Sequence, residues 1–272
     1  SVLTLLSVFS ASAGHRFRLP FPNKSSKSRP ILTAAGLKKT VRPKKHALDA
    51  GLIFQLSTLD DEIFARVVEG QQINWLEARP RGFARRNAFG ALDLSAGGYV
   101  IEQAGSLLAD HLERTQAFTL MASVTCSDGD IADEARIISL SVGERGIKLA
   151  QRGAQIIFRT EGMDGNRVCQ ALPGERRYIG ITYADRTLHY VVNGLSMAVE
   201  TLDEKISIPN AARLSLGQVA PSMSSRWNGI IEGVAVYDRA LTLEEIAALD
   251  QAQYNWLFVV PKTCLSGQQK AH

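Results

Sequence analysis

Cysteine is scarce in this sequence, and acidic residues are missing where basic ones are densest. The three cysteines, Cys126, Cys169 and Cys264, are too few for a disulfide scaffold, and none shows the C-x-x-C spacing of a zinc site. The histidines, at 15, 46, 111, 189 and 272, include no i, i+4 pair, which leaves out the helical zinc-hydrolase motif. No metal and no cofactor are expected. Nine prolines and 22 glycines exclude a collagen-like or wholly disordered chain. The apolar opening Ser1–Ala13 is shorter than the roughly 20 residues a membrane-crossing helix needs.

Residues 1–46 hold ten Lys/Arg and no Asp or Glu, while the remaining residues hold 21 Lys/Arg against 27 Asp/Glu. A basic leader thus precedes a mildly acidic body, a pattern suited to docking on something anionic. Ser1–Ala13 is uncharged and ends in Ala11-Ser12-Ala13, a small-residue pattern of signal cleavage. It is read as the end of an uncleaved membrane anchor. A retained signal peptide is the alternative, and a buried strand or helix the third reading. Residues 14–46 form an extended Pro/Ser-rich basic linker, because such a composition cannot build a core. Its docking residues are Phe17, Phe21, Lys38, Lys39, Arg42, Lys44 and Lys45.

From residue 47 the texture changes to short apolar runs broken by turn residues. Phe118, Leu120, Ala122 and Val124 alternate with polar neighbours at strand period. Arg136–Val142, Ile147–Ala150, Ala154–Thr160, Ile179–Tyr183, Leu214–Leu216 and Gly229–Tyr237 read as further strands. Thr187–Val192 meets Asn193-Gly194 and then Ser196–Glu200, a strong hairpin signal. Thr242-Leu-Glu-Glu245 has the form of a capping box opening one short helix. Residues 253–272 form a C-terminal tail. Such evenly spaced turn signals predict an all-β sandwich of two antiparallel sheets.

The stretch Gly229-Ile-Ile-Glu-Gly-Val-Ala-Val-Tyr-Asp-Arg-Ala-Leu-Thr-Leu-Glu-Glu-Ile246 resembles the closing strand, corner and helix of laminin G-like, concanavalin A-like jelly rolls. The hairpin Leu188-His-Tyr-Val-Val-Asn-Gly194 resembles the same family, and the resemblance extends over residues 47–252. It implies a two-sheet antiparallel jelly roll with a short C-terminal helix, of a kind commonly exported and used in adhesion or scaffolding.

Glucanase relatives of this sandwich carry E-x-D-x-x-E on a strand, placing acid and nucleophile on one face. This spacing does not occur here; Asp60, Asp61 and Glu62 are consecutive, so in a strand they point to alternating faces. No catalytic residue is assigned. Asp128, Asp130 and Asp133, with Glu134, gather in one loop and form a weak calcium candidate without EF-hand spacing. A solvated acidic loop is the competing reading. Arg79-Pro-Arg81 and Arg85-Arg86 lie beside Trp75 and Phe83, a mixture that reads single-stranded nucleic acid in some proteins. Here the aromatics are expected to pack on a sheet with the arginines in solvent, and no nucleic-acid partner is expected. Trp227, Tyr183 and Asn228 are candidates for carbohydrate contact, with burial of Trp227, which sits just before a core strand, as the competing reading. Cys126 and Cys169 follow strand-like runs and are candidates for a disulfide, which an exported setting allows.

The expected function is that of a non-catalytic accessory subunit on the periplasmic or extracellular side of a membrane. Its leader and sandwich surface would dock on the other subunits of a larger membrane assembly. An exported carbohydrate-binding, lectin-like module is the alternative, and a glycan hydrolase with an unrecognised site the third.

Overall fold

The computed structural model describes residues 50–59, 62–69, 72–87, 90–95, 97–217 and 226–251. Contacts divide the chain after Val41, and all of these residues fall in the second part. In chain order the strands begin with β1 (Leu52–Leu59), β2 (Glu62–Glu69), β3 (Gln72–Glu77), β4 (Arg79–Gly82), β5 (Arg85–Arg86), β6 (Leu92–Asp93) and β7 (Gly97–Ile101). Helix α1 (Glu102–Thr115) leads to β8 (Ala117–Cys126), β9 (Ala135–Val142), β10 (Arg145–Arg152), β11 (Gln155–Arg159) and β12 (Asn166–Gln170). The chain continues through β13 (Arg176–Ala184), β14 (Thr187–Val192), β15 (Leu195–Thr201), β16 (Arg213–Gly217), β17 (Gly229–Tyr237) and helix α2 (Leu243–Gln251).

These strands make two antiparallel sheets. The first runs β15-β14-β13-β8-β17-β1-β2-β3, with β6 on β17 and β5 on β6; the second runs β12-β11-β10-β9-β16-β7-β4. The β14–β15 hairpin turns at Asn193 and Gly194, whose φ angles of +51° and +74° meet the demand of a type I′ turn for positive φ at both corners. Between the sheets lie Phe118, Leu120, Ala122 and Val124 of β8, which meet Ile138, Leu140, Leu149 and Phe158 of the second sheet in one buried cluster.

Strand β8 is buried on both faces, and its other face explains the closing corner. Thr119 Oγ1 donates to the Arg239 carbonyl and accepts from the Leu241 N–H, both at 2.8 Å. Helix α2 then covers that face of the first sheet, with Ile246 and Leu249 in a cluster that holds Met121, Tyr178, Val191 and Tyr237. Its start is the expected capping box: the Thr242 N–H donates to Glu245 Oε2 at 2.9 Å and the Glu245 N–H to Thr242 Oγ1 at 3.3 Å.

A second helix joins the one read from the sequence. α1 buries Ala104, Leu108, Ala109 and Leu112, so one helical face packs into the core between the sheets. It ends on Gln116 at φ +50°, whose N–H donates back to the Leu112 carbonyl, a left-handed stop.

Candidate ligand-binding face

The second sheet turns one side to the core and the other outward, and register decides which residues stand outside. Pairing places Arg159, Lys148, Ser139, Ser215, Val100 and Arg79 in one row across β11, β10, β9, β16, β7 and β4. Their chain neighbours Phe158, Leu149, Ile138, Leu214 and Tyr99 belong to the core, so this row faces away from it. A second row runs Gly146, Ser141, Arg213, and a third Arg167, Ile157, Ala150, Arg136. Arg81 and Arg152 share the same side by alternation.

The seven strands of this sheet contain nine Lys/Arg and no Asp or Glu. In the middle of the face stand small side chains, Ser139, Ser141 and Ser215, with the Ser139 and Ser141 hydroxyls 3.1 Å apart. Arg79 and Arg81 of β4 lie to one side of this strip and Lys148, Arg159 and Arg167 of β10, β11 and β12 to the other, while Arg213 and Arg136 stand on the serine-bearing strands themselves. Ser139, Ser141 and Ser215 are themselves only 4, 8 and 8% exposed, so this side of the sheet carries its arginines over a buried strip of hydroxyls.

Among the described residues, carboxylates reach the face from its margins. Glu134, just before β9, takes Arg152 at 2.7 Å and Arg159 at 3.0 Å. Glu144, in the β9–β10 turn, takes Lys148 at 2.7 Å, Arg136 at 3.0 Å and Arg159 at 3.4 Å. The hydrogen bond from Lys148 holds the Glu144 carboxyl below its ordinary pKa. Lys148 itself is only 1% exposed, and burial lowers its pKa from the usual lysine value despite that partner. Arg167 has no carboxylate partner among the described residues. The face therefore keeps a surplus of positive charge over a strip of hydroxyls, and offers hydrogen-bond donors rather than acid–base pairs.

Several sequence expectations need correction. Trp227 and Tyr183 are buried in the core; the indole N–H donates to Gln151 Oε1 and the Tyr183 hydroxyl accepts from the Ile206 N–H, so neither ring is available to a sugar. Asn228 is half-buried, and its carbonyl accepts from the Ser127 N–H. The calcium candidate is not assembled: among the described residues no three His, Cys, Asp or Glu side chains converge. Asp128, Asp130 and Asp133 stay apart while Glu134 turns to its two arginines. The disulfide is not formed. Cys126 and Cys169 are free and buried, on strands β8 and β12 rather than in loops, where each thiol fills the core and burial pushes both pKa values up to about 11.

Phe83 does not pack on a sheet either; it is 84% exposed, while the Trp75 side chain lies outside the described residues. The leader residues Phe17, Phe21, Lys38, Lys39, Arg42, Lys44 and Lys45 also lie outside them. Sequence reasoning singled out Arg79 and Arg81 but missed Lys148, Arg136, Arg152, Arg159, Arg167 and Arg213. The absence of any acid from the strand-like runs between Ala135 and Arg159, Glu144 at the turn apart, was the signal that could have found most of them.

A family model described as the concanavalin A-like lectin/glucanases superfamily, laminin G type, matches residues 98–247. No curated protein matches at a significant level. Among solved structures, a receptor-binding domain superposes with a TM-score of 0.61 at 14% identity, covering 77% of this chain and 53% of that one. The binding domain of botulinum neurotoxin DC, in complex with rat synaptotagmin II, gives 0.59 at 14%, covering 75% and 52%. The Trypanosoma rangeli sialidase, in complex with sialic acid, gives 0.54 at 17%, covering 77% and 34%. The chain thus spans about half the length of the binding domains it resembles, and the likeness is one of fold.

Proposed function

The chain belongs to the concanavalin A-like lectin/glucanase superfamily, and from that premise we propose that it is a non-catalytic, lectin-like binding module whose ligand is a glycan carrying acidic groups. One observation carries this reading: a seven-stranded sheet whose strands bring nine Lys/Arg and no carboxylate, with a row of arginines on its outer face. Arginine forks bind carboxylate and sulfate oxygens in pairs. Glycoside hydrolysis in this fold needs two carboxyl groups flanking the bond; here the carboxylates sit at the margin, engaged with arginine and lysine. Binding of glycans on an array, with acidic chains favoured over neutral ones and signal lost in an Arg136→Gln, Arg213→Gln double variant, is the expected result. Turnover of any bound glycan, or binding confined to neutral sugars and unaffected by that variant, would count against the reading.

A second reading is a subunit held at a membrane by residues 1–13, on its periplasmic or extracellular side, and docked on a larger assembly through residues 14–46. The ten Lys/Arg without one acid in residues 1–46 favour it. Under this reading, deleting residues 1–46 is expected to abolish copurification with the partner subunits while leaving glycan binding intact.

A further inference from the structure

The segment Arg79-Pro-Arg-Gly-Phe-Ala-Arg-Arg86 lends Arg79 and Arg81 to the glycan face, but Phe83 at its tip and Arg85 lie beyond that face. Its first half, β4, edges the second sheet, and its second half, β5, joins the margin of the first, so the turn between them stands where the two sheets part. Phe83 is at its tip and is 84% exposed, and among the described residues it is the only large aromatic side chain left so far out. A single exposed apolar residue is ordinary. A fixed one, on a turn with arginines before and after it, is not.

The tip is held by its backbone. A Cβ on Gly97 would meet the Arg81 carbonyl at 2.0 Å and the Phe83 N–H nitrogen at 3.0 Å, so the turn lies directly on β7 and only glycine admits it. Arg85 Nε donates to Asp93 at 3.1 Å, and Asp93 is steadied by the Ser95 hydroxyl and N–H at 2.6 and 3.1 Å. The Ser95 hydroxyl is the main cause of a lowered Asp93 pKa, which keeps that carboxylate charged. Within four residues of Phe83 along the chain lie Arg79, Arg81 and Arg85, with side chains 61, 51 and 77% exposed. Glu77, Glu102 and Asp93 are their carboxylate partners, and such exposed pairs are weak enough to be exchanged for stronger anions. Neither residues 1–46 nor residues 252–272 contain an acidic side chain, so the terminal segments carry no charge able to neutralise this tip.

An aromatic ring projecting from a rigid turn among guanidinium groups fits an interface with apolar depth and anionic rim. We propose that this tip docks on an anionic lipid bilayer, with the Phe83 ring entering between headgroups and Arg79, Arg81 and Arg85 binding lipid phosphates. Guanidinium groups pair with phosphate oxygens in a fork, and aromatic side chains settle at the membrane interface. This contact goes beyond the glycan reading and does not depend on it.

The test is sedimentation of the full chain with vesicles of phosphatidylcholine alone and of phosphatidylcholine with phosphatidylserine. Wild type should favour the anionic vesicles, and Phe83→Ala should reduce that partitioning roughly tenfold, as withdrawal of one buried aromatic predicts. Because the ring is exposed, the variant should melt at the wild-type temperature. Phe83→Trp should keep the affinity and show tryptophan quenching by brominated acyl chains beyond that of wild type. Equal partitioning of wild type and Phe83→Ala would overturn the proposal, because the attachment would then lie elsewhere in the chain. An unquenched Phe83→Trp protein would overturn it too. So would retention on an immobilised acidic polysaccharide with the same dependence on Phe83, which would make the tip a general polyanion site.

Discussion

The Trp227 indole N–H donates to the Gln151 side-chain carbonyl at 3.2 Å, and both residues are wholly buried. The pair bridges the sandwich, since Gln151 belongs to β10 of the second sheet while Trp227 leads into β17 of the first. Gln151 Nε2 donates to the carbonyls of Asp128 and Gly153 at 2.9 and 3.2 Å. One inward glutamine thus satisfies an indole and fixes two loops, and this is how a polar side chain is tolerated in the core.

Gln151→Leu should therefore destabilise the sandwich by about 2–4 kcal/mol, because it strands a buried indole N–H and weakens two carbonyl contacts at once. Urea denaturation should show a lower midpoint at unchanged slope, the mark of lost stability in an unaltered fold. A midpoint equal to that of wild type would mean the loops find other donors.

The buried thiols lead to a chemical prediction. With pKa values pushed up to about 11 by burial, Cys126 and Cys169 are almost entirely un-ionised at pH 8, and thiolate is the reactive form. Iodoacetamide at that pH should leave both unmodified in the native protein and alkylate both after unfolding without reductant. Peptide mass spectrometry reads the two sites separately. Labelling of the folded protein would refute the core placement, and failure to label the unfolded one would reveal a bridge.

From Phe118 onward most strands were legible, where one face meets the core and the other meets solvent or turn chemistry. β1 to β7 and β12 were not picked out; β7 is buried at every residue and shows no alternation. Asn193-Gly194 marked its hairpin because the backbone there needs residues that accept positive φ, and Thr242 and Glu245 marked a helix start by their spacing. α1 escaped because its alanines, glycine and leucines sit among charged residues, although Ala104, Leu108 and Leu112 recur at helical spacing. The basic face of the second sheet was harder to see. Its residues come from strands distant in sequence, and only register places Arg159, Lys148, Ser139, Ser215 and Arg79 in one row. Trp227 and Tyr183 misled for the converse reason: an aromatic beside polar residues in sequence reads as accessible, yet each uses its polar atom inside the core.

The closing corner supplies the last prediction. Arg239 forms a fork on Glu245, at 2.9 and 2.8 Å, and its Nε donates to the Ala50 carbonyl at 2.9 Å. It thereby joins the start of the sandwich to the helix that covers it. The Arg239 hydrogen bond is the main cause of a Glu245 pKa below the ordinary carboxylate value. A carboxyl with a depressed folded-state pKa binds its proton less readily when folded, so its contribution is complete above the unfolded-state value of about 4.3. That contribution is lost as pH falls through the lower folded value. Glu245→Gln keeps an acceptor for the Thr242 N–H but loses the charge, and should cost about 1 kcal/mol at pH 7, allowing for solvent around a partly exposed pair. The difference between wild type and variant should shrink toward zero as urea melts are taken from pH 5 to pH 3. Arg239→Lys should cost at least as much as Glu245→Gln, because an ammonium cannot serve both carboxylate oxygens and the Ala50 carbonyl in one plane. A wild-type-to-Glu245→Gln difference that stays constant down to pH 3 would show that the carboxylate charge contributes nothing, and would leave the capping box alone to anchor the helix.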